Sequence, residues 1–202
     1  MGAKNMTREA RDMELQWFDI RELTEDTAGA VMGMMGETRR RRVADIAGED
    51  DRKRTIAGEL LARRMLAQTM GCAEKDVPLQ WDELGKPSVE KDGVYVSVSH
   101  SGPWAVCVTA GAPVGVDVEV VRSAQEKFMR RVCSEQEMAY IRSGDDGDCQ
   151  RFWEIWTAKE ALFKLTGMGP LLALSRFSLP AGVTLDYTAQ KGCALTIAAQ
   201  IL

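Results

Sequence analysis

The chain has 202 residues, a mass of 22.3 kDa, 45% apolar and 28% charged residues, and a formal net charge of −4. That size and balance suit one large soluble domain or two fused small ones with a real core. Five cysteines (Cys72, Cys107, Cys133, Cys149 and Cys193), odd in number and without CxxC spacing, argue against a disulfide scaffold or a zinc ribbon, no apolar run approaches the ~20 residues that cross a bilayer, and the charged start lacks a secretion signal, so a reduced, cytoplasmic protein is expected.

In chain order, Leu15 to Ile20 reads as a first strand, and Glu37 to Ala47 and Asp50 to Met70 as helices, the second with one apolar stripe and Gly71 as its stop. Val77 to Trp81 reads as a short strand before the turn Leu84-Gly85-Lys86-Pro87. Strands are expected at Val94 to Ser99, Trp104 to Thr109 and Val114 to Val121, with turns at Ser101-Gly102-Pro103 and Ala110 to Pro113. The second of these turns is the best subdomain boundary. Helices follow near Ala124 to Val132 and at Ser134 to Ile141, the latter opened by a capping box. Beyond a polar loop at 143–148, Gln150 to Thr166 reads as a long helix ending at Gly167. Strands at Leu174 to Leu179, Thr184 to Thr188 and Ala194 to Ala199 complete the chain, the last two a hairpin through Lys191-Gly192. Helices and antiparallel strands in two successive groups indicate an α+β fold.

Charge is unevenly placed. Glu37 to Arg64 carries nine Arg or Lys against six Asp or Glu, which makes that segment +3 and the remainder −7. A solvated helix face laced with i,i+4 pairs such as Glu59–Arg63 accounts for this; so does a local anion site on an acidic protein. Nucleic-acid binding through Arg39 to Arg64 is the weakest reading, because the whole is acidic and no aromatics interleave the arginines.

Chemistry concentrates at three places. On the strand Val114 to Val121, Asp117 and Glu119 point the same way, about 7 Å apart. Paired carboxylates repel one another and attract a cation; a hard ion such as Mg²⁺ suits them together with phosphate oxygens. An ordinary amphipathic strand with two solvent-facing acids has the same pattern. On the helix Gln150 to Thr166, Trp153, Trp156, Glu160 and Lys164 share a face. That is either a partly desolvated functional pair or a routine ion pair beside core aromatics. The single histidine, His100, follows Ser99 at a strand end, where it either has a structural role or hydrogen-bonds phosphate.

The order of these pieces resembles one family. Gly85-Lys86-Pro87, then Val98-Ser99-His100-Ser101, then Gly115-Val116-Asp117-Val118-Glu119, then Trp156-Thr157-Ala158-Lys159-Glu160-Ala161 with Lys164, resemble the 4′-phosphopantetheinyl transferases. The similarity is to the larger, monomeric type that activates peptide and polyketide synthetases such as surfactin synthetase. It covers roughly residues 37–180. It implies a pseudo-dimer of two similar α+β halves with the active site in the cleft between them. Residues 1–112 would form the half that holds the adenosine and phosphates, and 113–202 the half with the metal-binding carboxylates and the carrier-protein side.

The resemblance further implies Mg²⁺ (or Mn²⁺) on Asp117, Glu119 and Glu160, with coenzyme A as co-substrate. Lys164 and the pair Ser99 and His100 would contact the coenzyme, and Gly85, Lys86 and Pro87 would lie near its adenosine. Arg39, Arg42 and Arg54 would face its phosphates, with Arg at two places where Lys is common, a change of geometry at constant charge. The implied reaction moves the phosphopantetheine arm to a serine of an apo acyl or peptidyl carrier protein and releases adenosine 3′,5′-bisphosphate. Glu160 is the candidate proton acceptor and Lys164 steadies the phosphate or the leaving oxygen. Metal ligation and general-base duty are competing jobs for Glu160. Residues around Phe128 to Tyr140 lie where relatives dock the carrier. The alternative is a module that binds coenzyme A or a carrier protein without chemistry, against which the intact carboxylates argue.

Overall fold

Strands and helices assemble twice into the same arrangement in the computed structural model, which describes residues 13–144, 149–167 and 180–201. In the first half, β1 (Glu14–Asp19) leads to helices α1 (Glu25–Met34), α2 (Glu37–Ala44) and α3 (Glu49–Met70). A ribbon of β2 (Gln80–Trp81) and β3 (Pro87–Ser88) follows, then the hairpin of β4 (Tyr95–Ser101) and β5 (Trp104–Ala110). In the second half, β6 (Val114–Val120) leads to α4 (Glu126–Val132), α5 (Glu135–Arg142) and α6 (Cys149–Thr166), then the hairpin of β7 (Val183–Gln190) and β8 (Cys193–Gln200). Each hairpin lays its last strand against the first strand of its half. The result is two antiparallel sheets of matching order, β1-β5-β4 and β6-β8-β7. The expected α+β architecture of two sheet-plus-helix halves is observed.

The layers follow from strand alternation. Ala105 and Cys107 of β5 point to α3, against Ala57, Leu61 and Met65. Val106 and Val108 point the other way and pack on Val116, Val118, Leu195 and Ile197 of the second sheet. β5 is therefore buried on both faces, which is why it is apolar throughout instead of alternating. The far face of the second sheet is covered by α6, through Ala161 and Leu162 on Ala198 and through Phe152 and Trp153 near Ala194.

Local signals set most of the boundaries. Gly71, at φ 68°, ends α3 in the left-handed conformation that glycine adopts without strain. The capping box is formed, with Ser134 Oγ accepting from Glu137 N and the Glu137 carboxylate accepting from Ser134 N. Lys191 and Gly192 both have positive φ in the β7–β8 turn, as a tight hairpin requires.

Elsewhere the structure departs from expectation. Helix α1 is not signalled by its sequence, which carries Gly29, Gly33 and Thr27; Thr24 caps it and Val31 buries it in a cluster with Ile56 and Leu60 of α3. Tertiary packing outweighs propensity there. The strand expected from Val77 shrinks to Gln80–Trp81, because Pro78 has no N–H to donate and Leu79 N turns back to the Val77 carbonyl. β4 runs on to Ser101, two residues past the expected end. The strand expected at Leu174 to Leu179 and most of the loop at 143–148 lie outside the described residues. Among the described residues, no helix is long and apolar enough to cross a membrane.

Candidate active site

The site is built where β4 of the first half lies beside β6 of the second, under α6. β6 turns Val114, Val116 and Val118 into the layer between the sheets, leaving Gly115, Asp117 and Glu119 on the side of α6. Only glycine fits at 115: a Cβ there would stand 2.1 Å from the Ala161 carbonyl oxygen and 2.6 Å from Leu165 N. That close approach carries Glu160 and Lys164 over the strand carboxylates. Lys164 Nζ donates to Asp117 Oδ1 at 2.8 Å and to the Val116 carbonyl at 3.0 Å.

Asp117 is 5% exposed, and its other oxygen, Oδ2, has no hydrogen-bond partner. Its Oδ1 accepts a second hydrogen bond from Ser99 Oγ at 2.7 Å. Glu119 Oε2 accepts from Ser101 Oγ at 2.6 Å. Burial, reinforced by the charge of Asp117, pushes the Glu119 carboxyl above the ordinary range despite that hydrogen bond. Glu160 goes further. Burial first, then Asp117 and Glu119, lift its pKa to about 7, with Lys164 opposing. Three carboxyl groups thus interact electrostatically, and two resist ionisation because burial, and then the negative charge of Asp117, disfavour their charged forms.

A cavity of about 370 Å³ opens beside this cluster, lined by Asp117, Lys164, Ser99, His100, Gly85 and Arg39 together with Trp81. Six of the residues expected at the site therefore share one wall or another of a single cavity. His100 keeps an open face to solvent, yet desolvation by its surroundings and the cations Lys164 and Arg54 hold its pKa below the usual histidine value. Arg39 lies over the Trp81 ring, 4.1 Å from its centroid, and faces the buried Glu59 at 3.7 Å. Glu59 is also bound by Arg63 at 2.9 Å.

The other expected residues are placed around this centre. Arg42 lines an adjoining cavity of about 270 Å³ that shares Arg39 and Trp81 with the first. Arg54 is tied to the Gly102 carbonyl at 2.8 Å and to Asp51 at 2.5 Å, and lines a separate cavity of about 330 Å³ with Arg21 and Lys53. Lys86 and Pro87 face a fourth space of about 530 Å³, where Lys86 Nζ reaches the Leu165 carbonyl at 3.4 Å. Trp153 and Trp156, expected to share a face with Glu160, are packing residues: both belong to the cluster under α4 and α5, and Trp153 Nε1 donates to the Arg122 carbonyl at 2.7 Å.

Two functional features were not read from the sequence. In the sequence Trp81 reads only as part of a strand, yet its ring lies against Arg39 at the cavity. In the sequence Ser97 reads only as part of the strand Val94 to Ser99, and Ser101 as a turn residue. Their in-phase spacing with Gly115, Asp117 and Glu119 was the available signal.

As a metal site the cluster is open. Among the described residues, no group of three His, Cys, Asp or Glu side chains is gathered tightly enough to hold an ion. The donor set nevertheless fits a hard divalent cation: carboxylate oxygens only, one of them buried and unpartnered, with Glu119 and Glu160 raised by burial first and by the charge of Asp117 second.

Two family profiles match consecutive parts of the chain. One, for the N-terminal part of 4′-phosphopantetheinyl transferases, covers residues 23–112; the other, for the 4′-phosphopantetheinyl transferase superfamily, covers residues 113–196. Among curated proteins, the 4′-phosphopantetheinyl transferase gsp of Aneurinibacillus migulanus is 31% identical over 128 residues, 63% of this chain and 54% of that protein. The 4′-phosphopantetheinyl transferase Sfp of Bacillus subtilis is 26% identical over 161 residues, 79% of this chain and 72% of that one. A phosphopantetheinyl transferase of Thraustochytrium is 33% identical over 159 residues, 69% and 54% respectively. The chain thus spans about half the length of two of these relatives. With the two profiles together running from residue 23 to 196, across both halves of the fold, this chain belongs to the 4′-phosphopantetheinyl transferase superfamily.

Proposed function

We propose that the protein transfers the 4′-phosphopantetheine arm of coenzyme A to a serine hydroxyl of an apo acyl or peptidyl carrier protein, releasing adenosine 3′,5′-bisphosphate. The observation that carries this reading is the convergence of Asp117, Glu119, Glu160 and Lys164 beside a cavity also lined by Arg39, Trp81 and His100. Coenzyme A combines a diphosphate, a 3′-phosphate and a purine. A site for it needs fixed cations, a cation-attracting carboxylate group and a flat apolar surface. Residues 1–112 supply the arginines and the flat surface of Trp81, and residues 113–202 the carboxylates and Lys164. In this reading the protein acts as a cytoplasmic monomer, with neither nucleic acid nor membrane as partner.

Lys164 of α6, tethered to the Val116 carbonyl of β6, holds the diphosphate by charge, while His100, largely neutral at physiological pH, hydrogen-bonds phosphate. Arg39, Arg42 and Arg54 attract the remaining phosphate charge, with the turn Gly85-Lys86-Pro87 beside the adenosine. Ser99 contributes through Asp117, whose carboxylate it fixes. Asp117, Glu119 and Glu160 would hold Mg²⁺ (or Mn²⁺), which when bound neutralises charge on the diphosphate. Glu160, directly or through a water, accepts the proton of the carrier serine as its oxygen attacks the β-phosphorus. The phosphorus–oxygen bond to the adenosine side breaks, and its electron pair leaves on the bisphosphate. Positioning and charge neutralisation are the main contributions of the chain. The half-exposed Phe128, edge-on to Phe152 and tilted against Trp156, gives the carrier protein an apolar contact beside the site.

Intact-protein mass spectrometry tests this. The full chain, coenzyme A, Mg²⁺ and a panel of apo carrier proteins should yield a carrier heavier by one phosphopantetheine arm, and a chelator should abolish the gain. Asp117→Ala and Glu160→Ala should lower the rate at least 100-fold, about 3 kcal/mol of transition-state stabilisation. Unmodified carriers together with no binding of coenzyme A would overturn the reading.

A further inference from the structure

We propose that Ser101 is a positioning residue for Glu119, so that a serine ladder on the first half sets the cation affinity of carboxylates carried by the second. This rests on the reading of Asp117, Glu119 and Glu160 as a cation site.

β4 and β6 lie side by side without sharing a backbone ladder. β6 pairs with β8 on one edge. On its other edge, the N–H groups of Val116, Val118 and Val120 point at β4, where no carbonyl meets them. Serine hydroxyls do so instead: Val116 N donates to Ser97 Oγ at 3.0 Å, Val118 N to Ser99 Oγ at 3.3 Å, and Val120 N to Ser101 Oγ at 3.1 Å. The side-chain repeat of two on each strand keeps the rungs in phase. Each hydroxyl that accepts from β6 still has its own proton to donate. Ser99 gives it to Asp117 Oδ1 at 2.7 Å and Ser101 gives it to Glu119 Oε2 at 2.6 Å, lengths typical of a hydroxyl bound to a carboxylate. The equivalent rung at Ser97 faces Gly115, which has no side chain and no room for one.

The three rungs therefore differ in a way that isolates function. Asp117 has Lys164 as a second holder. Among the described residues, the Glu119 carboxylate accepts no hydrogen bond other than that from Ser101. Removing Ser101 frees the carboxylate to rotate; removing Ser97 costs the same kind of backbone contact but touches no carboxylate. A partner that orients a metal-binding side chain commonly governs affinity by one to two orders of magnitude.

The test is titration of Mn²⁺ alone into the full chain, read by the electron paramagnetic resonance signal of the free ion, with thermal melts of each variant. Ser101→Ala should weaken Mn²⁺ binding about tenfold. Ser101→Thr, which keeps the hydroxyl, should stay within about twofold of the parent, and so should Ser97→Ala even though its melting temperature falls. Ser101→Ala binding as the parent does, or Ser97→Ala weakening it equally, would overturn the proposal while leaving the cation site standing. If Asp117→Ala binds Mn²⁺ as tightly as the parent, the cation-site reading itself fails, and the positioning role falls with it.

Discussion

Burial and two neighbouring acids keep the proton on Glu160 until about pH 7, well above an ordinary glutamate. The unfolded chain releases that proton near pH 4.5, so between these values the folded state binds more protons than the unfolded one. By linkage, stability then declines as pH rises through that window and levels off above it. The Glu119 carboxyl, raised for the same first reason, adds in the same direction. In the metal-free protein the melting temperature should therefore drop from pH 5 to pH 7.5, and Glu160→Gln should flatten much of the drop. Equal slopes in the two proteins would show that Glu160 ionises freely and is not held by this cluster. The same poise suits a group that takes a proton from serine near neutral pH. Lys159, its neighbour in sequence, points the opposite way: buried, it donates to the Val132 carbonyl and to Glu137, each at 2.7 Å, and so ties α4 and α5 to α6.

At the scale of elements, the decisive contact is α6 on β6. Gly115 lets the helix backbone touch the strand, and that contact carries Lys164 to within 2.8 Å of Asp117. Gly115→Ala must push α6 away, because both atoms it would strike are backbone. Overpacking of this kind costs about 3 kcal/mol, and it should lower both the denaturation midpoint and the rate of the proposed transfer. Gly111→Ala, where a Cβ meets open space, is the control and should leave the midpoint within about 0.5 kcal/mol of the parent. A Gly115→Ala protein of parental stability would mean that α6 is free to shift. The serine ladder belongs to the same scale. It replaces the hydrogen bonds that two sheet edges would otherwise exchange, and it leaves the hydroxyl protons available to the carboxylates.

Across the whole molecule, the duplicated topology sets two sheets against each other through Val106, Val108, Val116 and Val118 and leaves the site at their junction. The cavity there takes Arg39 and His100 from one half and Asp117 and Lys164 from the other. A ligand held by both should stabilise both. Coenzyme A with Mg²⁺ at 100 times its Kd should add about 2.7 kcal/mol, a rise of roughly 5–10 °C in melting temperature for a chain of this size. Arg39→Ala and Lys164→Ala should each cut that rise by at least half, measured against their own ligand-free melts. A full rise in both variants would place the coenzyme outside this cavity. The basic charge of α2 and α3 also makes sense at this scale: it lies beside the cavity of a protein whose net charge is −4.

What the sequence determined by itself is what short-range chemistry controls. Gly71 ends α3, Ser134 and Glu137 cap α5, Lys191-Gly192 turns the last hairpin, and the alternation of β6 puts Asp117 and Glu119 on one side. Each depends on residues within a turn or a pleat of one another. The residues that the family resemblance pointed to are adjacent in the cavity or stand around it, but their distances were not legible. Tertiary structure alone decided that α1 exists, that Ser97 and Ser99 are buried between sheets and not solvated, and that Glu160 is lifted to about pH 7. Those outcomes come from segments distant in sequence meeting at the junction of the two halves. There the hydrogen bonds and charges offered by one strand depend on how closely another can approach, and no local pattern encodes that distance.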